Sequence, residues 1–130
     1  MHGGPGDQGE PVAVLVVDDQ PTFRSTLRDL VTATPGLLLA GEAESGEAAV
    51  EAVASLSPRM VIMDKRMPGM GGVEATRRLV ATHPEIVVLL VSVEIPELEL
   101  MHGSGAAAFL RKQQLSPRAL AAVWEEHGGG

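Results

Sequence analysis

The chain has 130 residues, 45% of them hydrophobic but only 2% aromatic, and its 17 acidic residues outnumber 10 Lys and Arg for a formal net charge of -7. That length suits one domain whose core is built mainly from Val, Leu, Ala, Ile and Met. The acidic balance argues against nonspecific nucleic-acid binding, which rests on Lys and Arg, and the absence of cysteine excludes disulfides, thiolate catalysis and Cys-based zinc sites.

Residues 1–10 are Gly-rich and read as a flexible N-terminal tail, followed by a single domain over 11–127 and a flexible end at 128–130. No apolar run has the length of a signal peptide or a membrane span, so a cytoplasmic protein without membrane contact is expected. Val12 to Val17 is a continuous, β-branched apolar run, the pattern of a strand buried on both faces, and it stops abruptly at Asp18 and Asp19. Pro21 suits the first turn of a helix that puts Phe23, Leu27, Leu30 and Val31 on one face, closed by Thr34, Pro35 and Gly36. A second strand is expected over Leu37 to Ala40, then a helix capped by Ser45 with Ala48, Ala49, Ala52, Val53 and Leu56 on its stripe.

The alternation continues with a strand at Met60 to Met63, a helix at Val73 to Ala81 and a strand at Ile86 to Val91. A short, weakly patterned helix follows Pro96 and ends near Gly103, and Ala106 to Leu110 forms a last strand. Ser116 and Pro117 then cap and start a helix carrying Leu120, Val123 and Trp124. Five β/α units of this kind imply an α/β fold, a parallel sheet covered by helices on both faces.

In such sheets ligands collect beyond the carboxyl ends of the strands. The residues just past the apolar runs are Asp18 and Asp19, then Asp64, Ser92 and Lys112. Three carboxylates at one sheet end repel unless a cation lies among them, and oxygen ligands suit a hard ion such as magnesium. A hydroxyl and an ammonium opposite them could serve the oxygens of a transferring phosphoryl group, with a carboxylate as nucleophile. Each residue alone has a plainer reading: paired Asp residues form turns and caps, Asp64 beside Lys65 and Arg66 could be a surface ion pair, Ser92 a loop hydroxyl, and Lys112 a solvated charge. The specificity lies in four strand ends supplying one set. His2, His83, His102 and His127 have no metal-ligand spacing, and Met60, Met63, Met67 and Met70 read as packing.

With these residues in view, the chain from Val12 to about Glu126 resembles the response-regulator receiver family of the CheY-like superfamily. It is most similar to receivers of the NarL/LuxR type. VVDDQPTFRSTL looks like their first strand and helix, and VIMDKRMPGMGGVEATRRL like their phosphoacceptor strand and following loop. The resemblance implies a flavodoxin-like doubly wound sheet of order 2-1-3-4-5 with five helices. It implies phosphorylation of Asp64, magnesium among Asp18, Asp19, Asp64 and the backbone carbonyl of Arg66, a switch hydroxyl at Ser92, a switch aromatic at Phe109 and a phosphate-contacting lysine at Lys112.

There are departures from the family's pattern. Val93 follows the switch hydroxyl where a small residue is usual, and could narrow access to the site. Gly71 replaces a frequent Asp, Gln113 replaces a proline often joined by a cis bond, and the segment from Ser92 to Gly105 is shortened. By resemblance the partners are a sensor histidine kinase and a downstream protein or a missing output domain, with a homodimer left open and no direct nucleic-acid binding by this chain. Two alternatives stand beside it. One is a degenerate receiver acting as a phosphorylation-independent binding or dimerisation module. The other is a magnesium-dependent phosphatase with an aspartyl nucleophile, disfavoured because such enzymes usually place the nucleophile on the first strand and need a cap or substrate pocket, for which this chain has little spare length.

Overall fold

The computed structural model describes residues 10–94 and 102–128. Its elements are β1 (Val12–Val17), α1 (Pro21–Thr32), β2 (Leu37–Ala43), α2 (Gly46–Leu56), β3 (Met60–Asp64), α3 (Gly71–Thr82), β4 (Val87–Ser92), β5 (Ala108–Arg111), a 3-10 turn at Lys112–Gln114 and α4 (Pro117–His127). The crossover between β4 and β5 supplies the fifth helix of the fold, of which residues 102–104 are described; Pro96 and the start of the helix predicted after it lie outside the described residues. Every strand pairing is parallel, in the order β2-β1-β3-β4-β5. This is the expected flavodoxin-like sheet. Residues 1–9 and 129–130, most of the two predicted flexible ends, also fall outside the described part.

The three central strands bury both faces, and their alternate residues feed two cores. Val14 and Val16 of β1, Met60 and Ile62 of β3 and Leu89 and Val91 of β4 pack with Leu27 and Val31 of α1 and with Leu120, Val123 and Trp124 of α4. Leu15, Val17, Val61, Met63, Val88 and Leu90 point the other way, against Ala49 and Val53 of α2 and Ala75 and Leu79 of α3. Each large side chain removed from water here contributes about 1.5–3 kcal/mol, so the three central strands form the rigid part of the molecule.

Two boundaries differ from the sequence prediction for identifiable reasons. β2 runs on through Gly41, Glu42 and Ala43 because a register shift between Val14 and Leu15 keeps it paired with β1, and the Asp18 N–H donates to the Ala43 carbonyl at 3.1 Å. An edge strand has only one neighbour, so a polar Glu42 does not end it. α3 starts at Gly71 instead of Val73, with Gly71 at φ +74, a left-handed conformation that a glycine enters without strain.

Candidate functional site

The sheet order reverses between β1 and β3, and a crevice forms at the carboxyl ends of those two strands. β1 ends directly before Asp18 and Asp19, and Asp64 is the last residue of β3. Carboxylate oxygens of the three residues lie within 4.8 Å of one another, with Asp18 and Asp64 buried and Asp19 half-buried. The turn into α1 locks Asp18 in place. Its Oδ1 accepts from the Gln20 N–H at 2.8 Å, and its carbonyl accepts from Arg24 Nη1 at 2.8 Å. Arg24 is in turn paired with Glu42 at 3.3 Å, which also receives Arg28.

Lys112, the first residue of the turn after β5, brings its Nζ to 3.6 Å from Asp18 Oδ2 and 3.8 Å from Asp64 Oδ1. Both distances exceed hydrogen-bond range. Asp18 Oδ2 is therefore buried without a hydrogen-bond partner. Burial, and next the Asp18 carboxylate, push the Asp64 carboxyl up to about 6, with Asp19 adding a little and Lys112 and the Arg66 backbone N–H opposing the rise. One ammonium against three carboxylates leaves an excess of negative charge in a poorly solvated space. An all-oxygen donor set with an orphaned buried oxygen fits a hard divalent cation.

The remaining predicted residues sit around this centre. Ser92 ends β4 one residue beyond the position paired with Asp64, is buried, and its Oγ accepts from the Glu94 N–H at 3.1 Å. Val93 follows it and is 62% exposed. Phe109 lies on β5, partly buried against the core beneath α2 and α3, with Leu90 of β4 as its register partner. Arg66 is in the loop after β3, where its side chain pairs with Glu94 at 2.7 Å. The Lys112–Gln113 bond is trans, as is every peptide bond among the described residues. Gly72 explains why the loop after Asp64 turns back so closely: a Cβ there would fall 2.3 Å from the Asp64 carbonyl oxygen.

Residues 14–124 match the family model described as the response regulator receiver domain. The chain belongs to the response regulator receiver family. Among curated relatives, the response regulator GacA of Pseudomonas protegens is 42% identical over 103 residues, covering 78% of this chain and 48% of that protein. The nitrate/nitrite response regulator NarL of Escherichia coli K12 is 31% identical over 122 residues, covering 92% of this chain and 56% of that one. Among solved structures, the NarL signal receiver domain of Mycobacterium tuberculosis superposes with a TM-score of 0.82 at 29% identity, over 93% of this chain and 99% of that one. This receiver thus spans about half the length of the curated relatives it matches.

Four contributors to the receiver's site were not singled out from the sequence as site residues. Arg24 and Glu42 brace the β1–α1 turn, and Glu94 engages both Ser92 and Arg66. Phe23, predicted only as part of an apolar helix face, lies under Lys112 with its ring centroid 3.9 Å from Nζ. Arg24 follows a buried acidic turn, which was a usable signal. Nothing in the sequence pairs Phe23 with a residue so far along the chain. Among the described residues no helix is long and apolar enough to cross a membrane.

Proposed function

We propose that the chain is a phosphorylation-controlled switch of a two-component system: Asp64 accepts a phosphoryl group from a phosphohistidine on a sensor histidine kinase. The observation that carries this reading is the convergence of Asp18, Asp19, Asp64 and Lys112 at one sheet end, with Asp18 Oδ2 buried and unpartnered. Asp18, Asp19, Asp64 and the backbone carbonyl of Arg66 would hold magnesium. When bound, the ion supplies positive charge that neutralises the carboxylates and the phosphoryl oxygens.

An ionised oxygen of Asp64 attacks phosphorus in line with the P–N bond of the donor. The O–P bond forms as the P–N bond breaks, and the bonding pair stays on the imidazole nitrogen, which becomes neutral imidazole after taking a proton from solvent. Without the ion the Asp64 carboxyl is raised to about 6 and is already mostly ionised at pH 7 and above, and a bound cation would favour the ionised form further. The Lys112 ammonium moves onto the phosphoryl oxygens. Ser92, whose oxygen accepts from the Glu94 N–H, has its own proton free to donate to the same group, and Phe109 follows as the switch aromatic. The surface altered in this way is formed by β5 and α4. It is read by a separate protein or by an output domain, and the receiver acts in the cytoplasm with no direct contact with nucleic acid or membrane. A homodimer is one form that readout could take. Phosphorylation and later hydrolysis happen to the chain itself, so it is a switch and not a turnover enzyme.

Incubation with acetyl phosphate and magnesium, followed by intact-mass measurement, tests this reading. The expected result is a single phosphoryl adduct lasting minutes, lost in Asp64→Asn. A folded wild-type chain with no adduct would turn the reading towards a degenerate, phosphorylation-independent binding module. Turnover of many phosphate esters without an adduct would turn it towards a phosphatase.

A further inference from the structure

Lys112 is held from two sides. Two carboxylates attract its ammonium at 3.6 and 3.8 Å, and the Phe23 ring lies beneath it at 3.9 Å from the centroid. That distance is well inside the range of about 6 Å over which an aromatic face attracts a cation. Phe23 is one of only two phenylalanines in a chain with one tryptophan and no tyrosine, so an aromatic face is a scarce resource here. Its placement is fixed by the same turn that fixes the acids. The Gln20 N–H is bonded to Asp18 Oδ1, and the Gln20 carbonyl accepts the Arg24 N–H at 2.9 Å in the first turn of α1. The backbone turn that carries Phe23 is thus tied to Asp18.

The geometry points to Phe23 as a positioning residue that acts through Lys112. Its ring keeps the ammonium over the acidic cluster, partly shielded from water, so that the charge is already beside Asp64 when a phosphoryl group arrives. A long lysine side chain loses substantial rotamer freedom when it is held in one place. Without the ring, Lys112 swings into solvent for part of the time, and the transition state receives its charge only in the remaining fraction. The magnitude of a partly desolvated cation–π contact corresponds to a loss of roughly three- to tenfold in phosphorylation rate.

This inference rests on the phosphoacceptor reading of Asp64, and the test separates the two. Phosphorylation by acetyl phosphate is followed by intact mass in the wild type, Phe23→Leu, Phe23→Trp, Lys112→Met and the Phe23→Leu/Lys112→Met pair. Melting temperatures are measured alongside, and the Lys112 Hε resonances are recorded by NMR. Leu keeps the apolar volume without the π face, so Phe23→Leu should slow phosphorylation three- to tenfold while Trp restores it, and the Leu change should add nothing once Lys112 is Met. The Lys112 Hε signals should be shifted upfield by the ring in the wild type and return towards ordinary values in Phe23→Leu. An unchanged rate in Phe23→Leu, or an equal loss with and without Lys112, would overturn the proposal. A wild type that takes no phosphoryl group at all would instead sink the phosphoacceptor reading, and with it the role of Phe23 in that reaction.

Discussion

The two sides of the site are finished to different degrees. On the side of β1 and β3, three carboxylates share a buried space in which Asp18 Oδ2 has no hydrogen-bond partner and burial raises Asp64. On the side of β4 and β5, the Ser92 hydroxyl is bonded to the Glu94 N–H, and the Lys112 ammonium rests on Phe23. The acidic side is incomplete without an added charge. The other side already has its groups in place: the Ser92 hydroxyl accepts from the Glu94 N–H and keeps its own proton to donate, and the Phe23 ring holds Lys112 beside the acids. A switch needs both properties: a site that gains energy when loaded, and contacts stable enough to hold the resting state until it is.

The sharpest way to break this contrast is to remove the charge from Asp64. A carboxyl raised from 3.8 to about 6 takes up its proton more readily in the folded chain than in the unfolded one. Its cost to stability is therefore full above pH 6 and is relieved as the pH falls through 6 towards 3.8. Asp64→Asn should stabilise the magnesium-free protein at pH 8 by up to about 3 kcal/mol, and the gap to wild type should narrow on acidification to pH 5. Urea unfolding at the two pH values checks this. A destabilised Asn variant at pH 8 would mean that Lys112 and the Arg66 N–H already satisfy the carboxylate.

A smaller effect is expected from the cation. At a tenfold excess over its Kd, magnesium should stabilise the folded chain by about 1.4 kcal/mol, read as a rise in Tm that Asp19→Ala abolishes. A Tm indifferent to magnesium in the wild type would show that the acids tolerate one another unaided.

How much of this was legible in the sequence follows from the same contrast. Asp18, Asp19 and Asp64 stand where uninterrupted apolar runs stop, and a strand buried on both faces announces its own end. The acidic cluster therefore came from pattern, and the sheet order from family resemblance. The side of β4 and β5 was harder to read. Ser92 and Glu94 interact through a loop N–H whose direction no residue type encodes, and Phe23 looks like any apolar residue on a helix face until β5 carries Lys112 over it. The continuation of β2 through Glu42 was hidden because an edge strand accepts polar residues that a central strand would not.

The smallest expected effect is at Val93. Its stiff, branched side chain follows Ser92 and is 62% exposed, so it does not fill the site. Val93→Ala should speed both acetyl phosphate labelling and loss of the phosphoryl group by a few-fold, an effect of about 1 kcal/mol or less on each barrier. Equal time courses for the two proteins would show that the side chain points away from the reacting line.

Trp124 has a practical consequence for all of these measurements. It is the chain's single tryptophan, there is no tyrosine, and it lies 5% exposed in the core of α1 and α4 with the Arg59 guanidinium 5.1 Å from its ring centroid. Arg59 precedes the first residue of β3, so the indole stands at the amino ends of the strands, opposite the carboxylates. Its emission is a remote thermometer. It reports the loss of the core as a red shift when the chain unfolds, and it is silent to whatever binds between Asp18 and Asp64. Optical titration of the cation therefore needs a second fluorophore placed at the other end of the sheet.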